Sequence, residues 1–207
     1  MTTTPKVAVL DYGIGNLRSA QKALQKVGAD AILTREHGEI EAADAVVLPG
    51  VGAFGACMDA LRQADLESAV HGAVNAGVPF LGICVGMQML FDASEEDASA
   101  EGLGIIPGTV QWIPDTVQRP QMQWNQLHIL HDDAMFAGLG KAPWMYFVHS
   151  FHGVPTHSGD TVATVHYGQT LNVAFRRNNV FATQCHPEKS AHDGLALLAN
   201  FVQWARA

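Results

Sequence analysis

Four short apolar runs punctuate the first 92 residues, and helical patterns fill the intervals between them. Residues 6–11 (KVAVLD), 31–34 (AILT), 45–48 (AVVL) and 78–83 (VPFLGI) read as buried strands. Residues 17–27 place Leu17, Ala20, Leu24 and Val27 on one helical face, with Gly28 as a C-cap, and 57–62 and 66–75 are also helical. Strands alternating with helices predict a parallel sheet with right-handed crossovers and helices on both faces.

After Phe91 the texture changes. Residues 94–101 (SEEDASAE) read as an acidic, solvated loop. Short candidate strands follow at 110–113, 126–130, 145–150, 161–167, 171–175 and 180–183. Gly168-Gln169 and Asn178-Asn179 are placed as hairpin turns, so this half adds antiparallel strands. A last helix is expected over 191–205, with Ser190 and Asp193 spaced as a capping box and Leu195, Leu198, Phe201 and Val202 on one face. The expected fold is α/β: a mixed, mostly parallel central sheet with helices on both faces and added antiparallel strands in the C-terminal half. No repeat or linker divides residues 1–207, which suits one domain burying roughly 70% of the surface its unfolded chain exposes.

Several classes of function are disfavoured. The formal net charge is −8 and no basic stripe interrupts it, so no nucleic-acid partner is expected. No apolar run approaches the roughly 20 residues that span a bilayer, and MTTTPKVAVLDYG lacks a basic n-region and a cleavage site, so no membrane is expected. Three cysteines without CxxC spacing suit a reduced, cytoplasmic protein.

Chemistry concentrates where the run 77–91 (GVPFLGICVGMQMLF) turns from strand to helix. Cys84 stands between Gly82 and Gly86 in Gly-x-Cys-x-Gly, the shape of a nucleophile elbow with sulfur in place of a serine oxygen. The glycines relieve collisions at the corner. The following helix start supplies free N–H groups and positive potential that favour a thiolate, and places the Val85 N–H to bind an oxyanion. An inert buried cysteine competes equally with that reading until a base is found.

His186-Pro187-Glu188 supplies one. In an extended segment residues i and i+2 project to one face, and Pro187 keeps its neighbours from turning helical. Glu188 can then accept the imidazole Nδ1–H, leaving Nε2 to exchange a proton with sulfur. Gly50-Val51-Gly52-Ala53-Phe54-Gly55 matches a dinucleotide fingerprint, but Pro49 stiffens its approach and no acidic residue ends a strand about 20 positions later. An oxyanion loop, turning the Val51 N–H toward Cys84, is the favoured use of these glycines.

These pieces, with VAVLDYGIGNLRSAQKAL, VVLPGVGAFG, GLGIIPGTV, WNQL, YFVHSFH and ATQCHPEKS, resemble the class I (triad-type, flavodoxin-like) glutamine amidotransferases nearly end to end. DYGIGNLRS, PGVGAFG and YFVHS are similar to the branch that serves imidazole glycerol phosphate synthase in histidine biosynthesis. The resemblance implies a Cys84–His186–Glu188 triad and an oxyanion hole from the Val51 and Val85 N–H groups. It implies that Gly50, Gly52, Gln88, His149, Ser150 and Phe151 hold L-glutamine, and that Trp124, Tyr146 and Lys189 face a partner. That partner is a (β/α)8-barrel cyclase subunit, bound as a heterodimer, which takes up the ammonia and makes imidazole glycerol phosphate and an aminoimidazole carboxamide ribotide. Neither a cofactor nor a metal is implied, the pair His149 and His152 lacking a third ligand. A glutaminase of another pathway, a silent subunit of the same fold, and a peptidase or esterase on the same elbow are the rival readings. Two stretches depart from the family pattern: PQMQWN (120–125) replaces the usual PHMGWN, and Cys185 replaces an aromatic residue and should point away from the site.

Overall fold

The first half of the chain alternates as its apolar pattern requires: β1 (Lys6–Leu10), α1 (Leu17–Lys26), β2 (Asp30–Thr34), α2 (His37–Glu41), β3 (Ala45–Gly50), α3 (Phe54–Gln63), α4 (Glu67–Asn75), β4 (Phe80–Cys84) and the single turn α5 (Val85–Gln88). The second half is nearly all strand: β5 (Ala93–Ser94), β6 (Asp97–Glu101), β7 (Gly108–Trp112), β8 (Gln121–Gln126), β9 (His128–Ile129), β10 (Trp144–His149), β11 (Phe151–Pro155), β12 (Thr161–Tyr167), β13 (Gln169–Arg177) and β14 (Val180–Thr183), before α6 (Ala191–Trp204). This computed structural model describes residues 4–206; the outer ends of the expected 1–207 domain lie outside them. Among the described residues no helix is long and apolar enough to cross a membrane.

The central sheet has eight strands in the order β2-β1-β3-β4-β14-β13-β12-β9. The pairs from β2 to β14 are parallel, and those from β14 outward are antiparallel. Both expected hairpin turns form. Gly168 (φ +71°) joins β12 to β13, and Asn178 (φ +53°) opens the two-residue turn between β13 and β14. Helices lie on both faces, with α1 packed on α6 and α2 on α4. Two smaller sheets, β8 with β10 and β11-β7-β5-β6, lie beside the central one.

The register decides where the chemistry can be. Gly50 pairs with Cys84 across β3 and β4, while Ile83 pairs with Thr183 across β4 and β14. Three adjacent parallel strands therefore end together, and the segments leaving them carry Val51, Cys84 and His186. The carboxyl edge of a parallel sheet is where open α/β folds place ligands.

Four expectations are corrected. Residues 187–189 are not extended: Pro187–Lys189 forms a 3-10 turn with proline at its start, where its missing N–H breaks no intrahelical bond. The acidic stretch 94–101 is no solvated loop but part of a hairpin, β5–β6, tied by β5 to β7. Its carboxylates are used: Glu95 accepts the Trp112 N–H and Glu96 the Phe54 N–H, each at 2.8 Å. Ser190 and Asp193 form no capping box. Ser190 Oγ accepts the Tyr146 N–H at 2.9 Å and donates to the His186 carbonyl at 2.7 Å, and Asp193 accepts the Trp144 N–H at 2.8 Å. Long-range donors on β10 have claimed both side chains, so the residues tether α6 to β10. The strand expected at 126–130 is divided, because β8 stops at Gln126 and only His128–Ile129 reaches β12.

Candidate functional site

At Cys84 the chain must turn from β4 into α5 without an intervening loop. Cys84 takes φ +56° and ψ −116°, a conformation that costs a non-glycine residue on the order of 1–3 kcal/mol. The bracketing glycines do not share the positive φ. They allow close approach instead: a methyl on Gly86 would lie 1.9 Å from the Leu48 carbonyl oxygen, and one on Gly82 would lie 3.0 Å from Met87 Cα. The helix that follows is only one turn long, shorter than a macrodipole argument assumes, so the local N–H groups carry the positive potential.

Cys84 opens into a cavity of about 320 Å³ lined also by Val51, Gly52, Val85, Gln88 and His186. His186 is reached through a strand-like segment whose N–H donates to the Tyr146 carbonyl at 3.0 Å. Its Nδ1 lies 2.8 Å from Glu188 Oε1, with both side chains 3% exposed, and the second carboxylate oxygen has no partner. Burial works against the imidazolium. The hydrogen bonds and charges of Cys84 and Glu188 outweigh it and raise the pKa to about 9. The ring thus lies between Cys84 and the Glu188 carboxylate, the arrangement of a base held by its orienter beside a nucleophile.

The remaining expected residues divide. His149, Ser150 and Phe151 line the cavity, and Lys189 stands exposed at its edge. Gly50 lies behind the elbow rather than in the wall, and a methyl there would meet the Gly86 nitrogen at 2.5 Å. Trp124 and Tyr146 pair across β8 and β10 with ring centroids 6.1 Å apart, and Trp124 is 44% exposed beside exposed Met122 and Trp144. Cys185 is fully buried and 3.0 Å from Thr183 Oγ1, away from the cavity as expected.

Four wall residues, Gln184, Glu96, Pro120 and Val148, were not anticipated, and two of them bring polar groups. Gln184 Oε1 accepts from Gln88 Nε2 at 3.0 Å, and its own Nε2 lies 3.8 Å from Cys84 Sγ. Strand parity could have found it, since Gln184 stands two residues before His186 on the same face. Glu96 reaches the wall from the misread hairpin while holding the Phe54 N–H at the start of α3. A carboxylate thus occupies the helix terminus where a dinucleotide fingerprint would seat phosphate.

The Gln121 departure has a defined role. His149 Nδ1 lies 2.6 Å from the Phe151 carbonyl, which can only accept, so the proton is on Nδ1 and Nε2 is an acceptor. The Gln121 amide oxygen lies 3.0 Å from that Nε2 while the amide nitrogen is buried without a partner. A half-turn of the amide satisfies both groups, with nitrogen donating to His149. Burial, the largest cause, holds the His149 pKa down to about 4 from 6.5. Between those values the unfolded chain binds a proton that the fold refuses, so stability falls as pH drops through this window. The loss reaches up to roughly 3 kcal/mol. Urea denaturation at neutral pH and at about pH 4.5 should show a smaller difference for His149→Gln than for the unaltered protein. An equal difference would contradict the assignment. His186 has the opposite sign: its contribution is complete below 6.5 and is lost as pH rises through about 9.

Comparison with known proteins gives concordant likenesses. The family model for glutamine amidotransferase class-I matches residues 8–204. A Synechococcus elongatus protein named imidazole glycerol phosphate synthase subunit HisH is 51% identical over 207 residues, covering 98% of this chain and 94% of its own. A Salinibacter ruber protein of the same name is 46% identical over 201 residues, covering 94% and 92%. In fold, the chain is similar to a solved structure described as a glutamine amidotransferase, with TM-score 0.77, 23% identity and coverage of 97% of this chain and 99% of that one.

Proposed function

The chain belongs to the class I glutamine amidotransferase family, and from that premise we propose that it is the glutaminase subunit of an imidazole glycerol phosphate synthase. The observation that supports this most is the buried His186–Glu188 pair beside Cys84 at the wall of one cavity, in a chain with relatives of that name.

The proposed reaction is hydrolysis of the L-glutamine side-chain amide. Cys84 thiolate attacks the carboxamide carbon, and the Val51 and Val85 N–H groups receive the oxyanion. His186 gives its proton to the amide nitrogen, the C–N bond breaks, and ammonia leaves a thioester behind. Water then enters, His186 takes its proton, and glutamate departs as the thiolate is regenerated. Gln88, held by Gln184, orients the polar substrate, as do Gly52 and the segment His149-Ser150-Phe151. Glu96 offers a carboxylate to the substrate's ammonium group.

The ammonia would pass to a (β/α)8-barrel cyclase subunit in a cytoplasmic heterodimer, which makes imidazole glycerol phosphate and an aminoimidazole carboxamide ribotide. The exposed Trp124, its neighbour Tyr146 and Lys189 form the proposed partner-facing gate. Mixing the purified chain with the cyclase of the same organism should raise glutamine hydrolysis at least tenfold, most when the cyclase holds its own substrate. Stimulation by the synthase of another pathway, and not by the cyclase, would redirect the assignment.

A further inference from the structure

The loop that carries Val51 is held from behind by two side chains that the reaction does not use. Tyr12, just after β1 and 4% exposed, donates its hydroxyl to the Pro49 carbonyl at 2.6 Å. Cys57, on α3 and fully buried, donates its thiol to the Val51 carbonyl at 3.3 Å. Neither is among the residues lining the cavity. The two lie close together, and burial, the largest cause for each, raises the pKa of both, Cys57 to about 11. Both keep their protons at neutral pH and remain donors.

These two anchors fall on alternate peptide units. Tyr12 holds the Pro49–Gly50 unit and Cys57 holds the Val51–Gly52 unit. Between them lies Gly50–Val51, the unit that bears the Val51 N–H. Among the described residues no backbone carbonyl accepts that N–H. With its neighbours fixed, this middle unit can turn only about Gly50 ψ and Val51 φ together, so its donor is confined to one rotation about the Gly50–Val51 Cα–Cα axis. Without either anchor the rotation spreads over several bonds and the N–H loses its aim.

We propose that Tyr12 and Cys57 are positioning residues that fix the peptide units flanking Val51 and so aim its N–H at the oxyanion. The inference rests on the reading of Val51 as an oxyanion donor. An aimed donor acts on the transition state and hardly on bound glutamine, so its loss appears in kcat. A whole oxyanion donor is worth about 100- to 1,000-fold in kcat, which bounds the effect from above.

The test is steady-state glutamine hydrolysis by the complex with its cyclase. Tyr12→Phe removes one oxygen and is expected to lower kcat about tenfold with KM for glutamine changed less than about twofold. Cys57→Ala should lower kcat by at least about threefold, while Cys57→Ser, which keeps a donor, should restore most of it. Combining Tyr12→Phe with Cys57→Ala should cost less than the product of the single losses, because both act on one peptide unit. Unchanged kcat in Tyr12→Phe, or equal loss in Cys57→Ser and Cys57→Ala, overturns the proposal. If Tyr12→Phe does not fold, the Cys57 pair decides. Should the unaltered complex hydrolyse glutamine without needing Cys84, the functional reading fails instead, which is a separate result.

Discussion

Cys84→Ala is expected to abolish glutamine hydrolysis, lowering kcat by at least roughly 10,000-fold, while the protein still folds and binds its partner. The reason is the way triad members act as a unit: removing the nucleophile of such a set costs up to about a million-fold in kcat, and what survives comes from the oxyanion donors and from binding. The substitution should not unfold the chain, because alanine fits the corner and only a small, 5% exposed side chain is lost. It carries a second readout in His186. The sulfur is one of two groups that outweigh burial and hold the imidazolium up at about 9, so its removal should bring that value down, leaving Glu188 alone against desolvation. An NMR titration of His186 in both proteins measures the drop. The central assignment is falsified if Cys84→Ala retains hydrolysis with the cyclase present.

The legible and illegible parts of this site differ in how far apart their determinants lie. Cys84, His186 and Glu188 could be read because each role depends on residues close together in sequence, a glycine bracket and a His-Pro-Glu triplet, although a 3-10 turn over Pro187–Lys189, not an extended alternation, brings Glu188 to the ring. Gln184, two residues before His186 just past β14, was readable in principle by strand alternation. Glu96 was not, since its place depends on a ladder from β5 to β7 and on an N–H 42 residues away in sequence. The Ser190–Asp193 spacing misled for the same reason: donors on β10 outcompeted the local cap. Likewise α2, with five residues and only Ile40 buried, offers too little periodicity to detect. The sheet was legible as parallel from its alternation, but the adjacency of β4 and β14, which brings Cys84 to His186, joins strands nearly 100 residues apart.

The same elbow supports the largest expected effect on stability. Gly86→Ala is expected to destabilise the fold by at least about 3 kcal/mol, at the top of the usual range for overpacking. The added methyl would lie 1.9 Å from the Leu48 oxygen, 2.8 Å from the Leu48 carbonyl carbon and 3.1 Å from that of Pro49. All three are backbone atoms of β3, a strand paired on both sides, so no rotamer change can relieve the clash. Gly82→Ala meets a different wall. Its closest neighbour is the end of the Leu90 side chain at 2.8 Å, which can swing aside, and the Met87 Cα at 3.0 Å needs only a small shift. Chemical denaturation should therefore rank Gly86→Ala well below Gly82→Ala in stability, and equal losses would contradict the backbone account. Function adds a further discriminator. Relieving the Gly86 clash means pushing β3 outward at Leu48 and Pro49, which carries the Gly50–Val51 peptide away from Cys84. Any folded Gly86→Ala protein should accordingly lose kcat beyond what its stability explains, while Gly82→Ala, whose strain stays between β4 and α5, should keep the oxyanion loop in place.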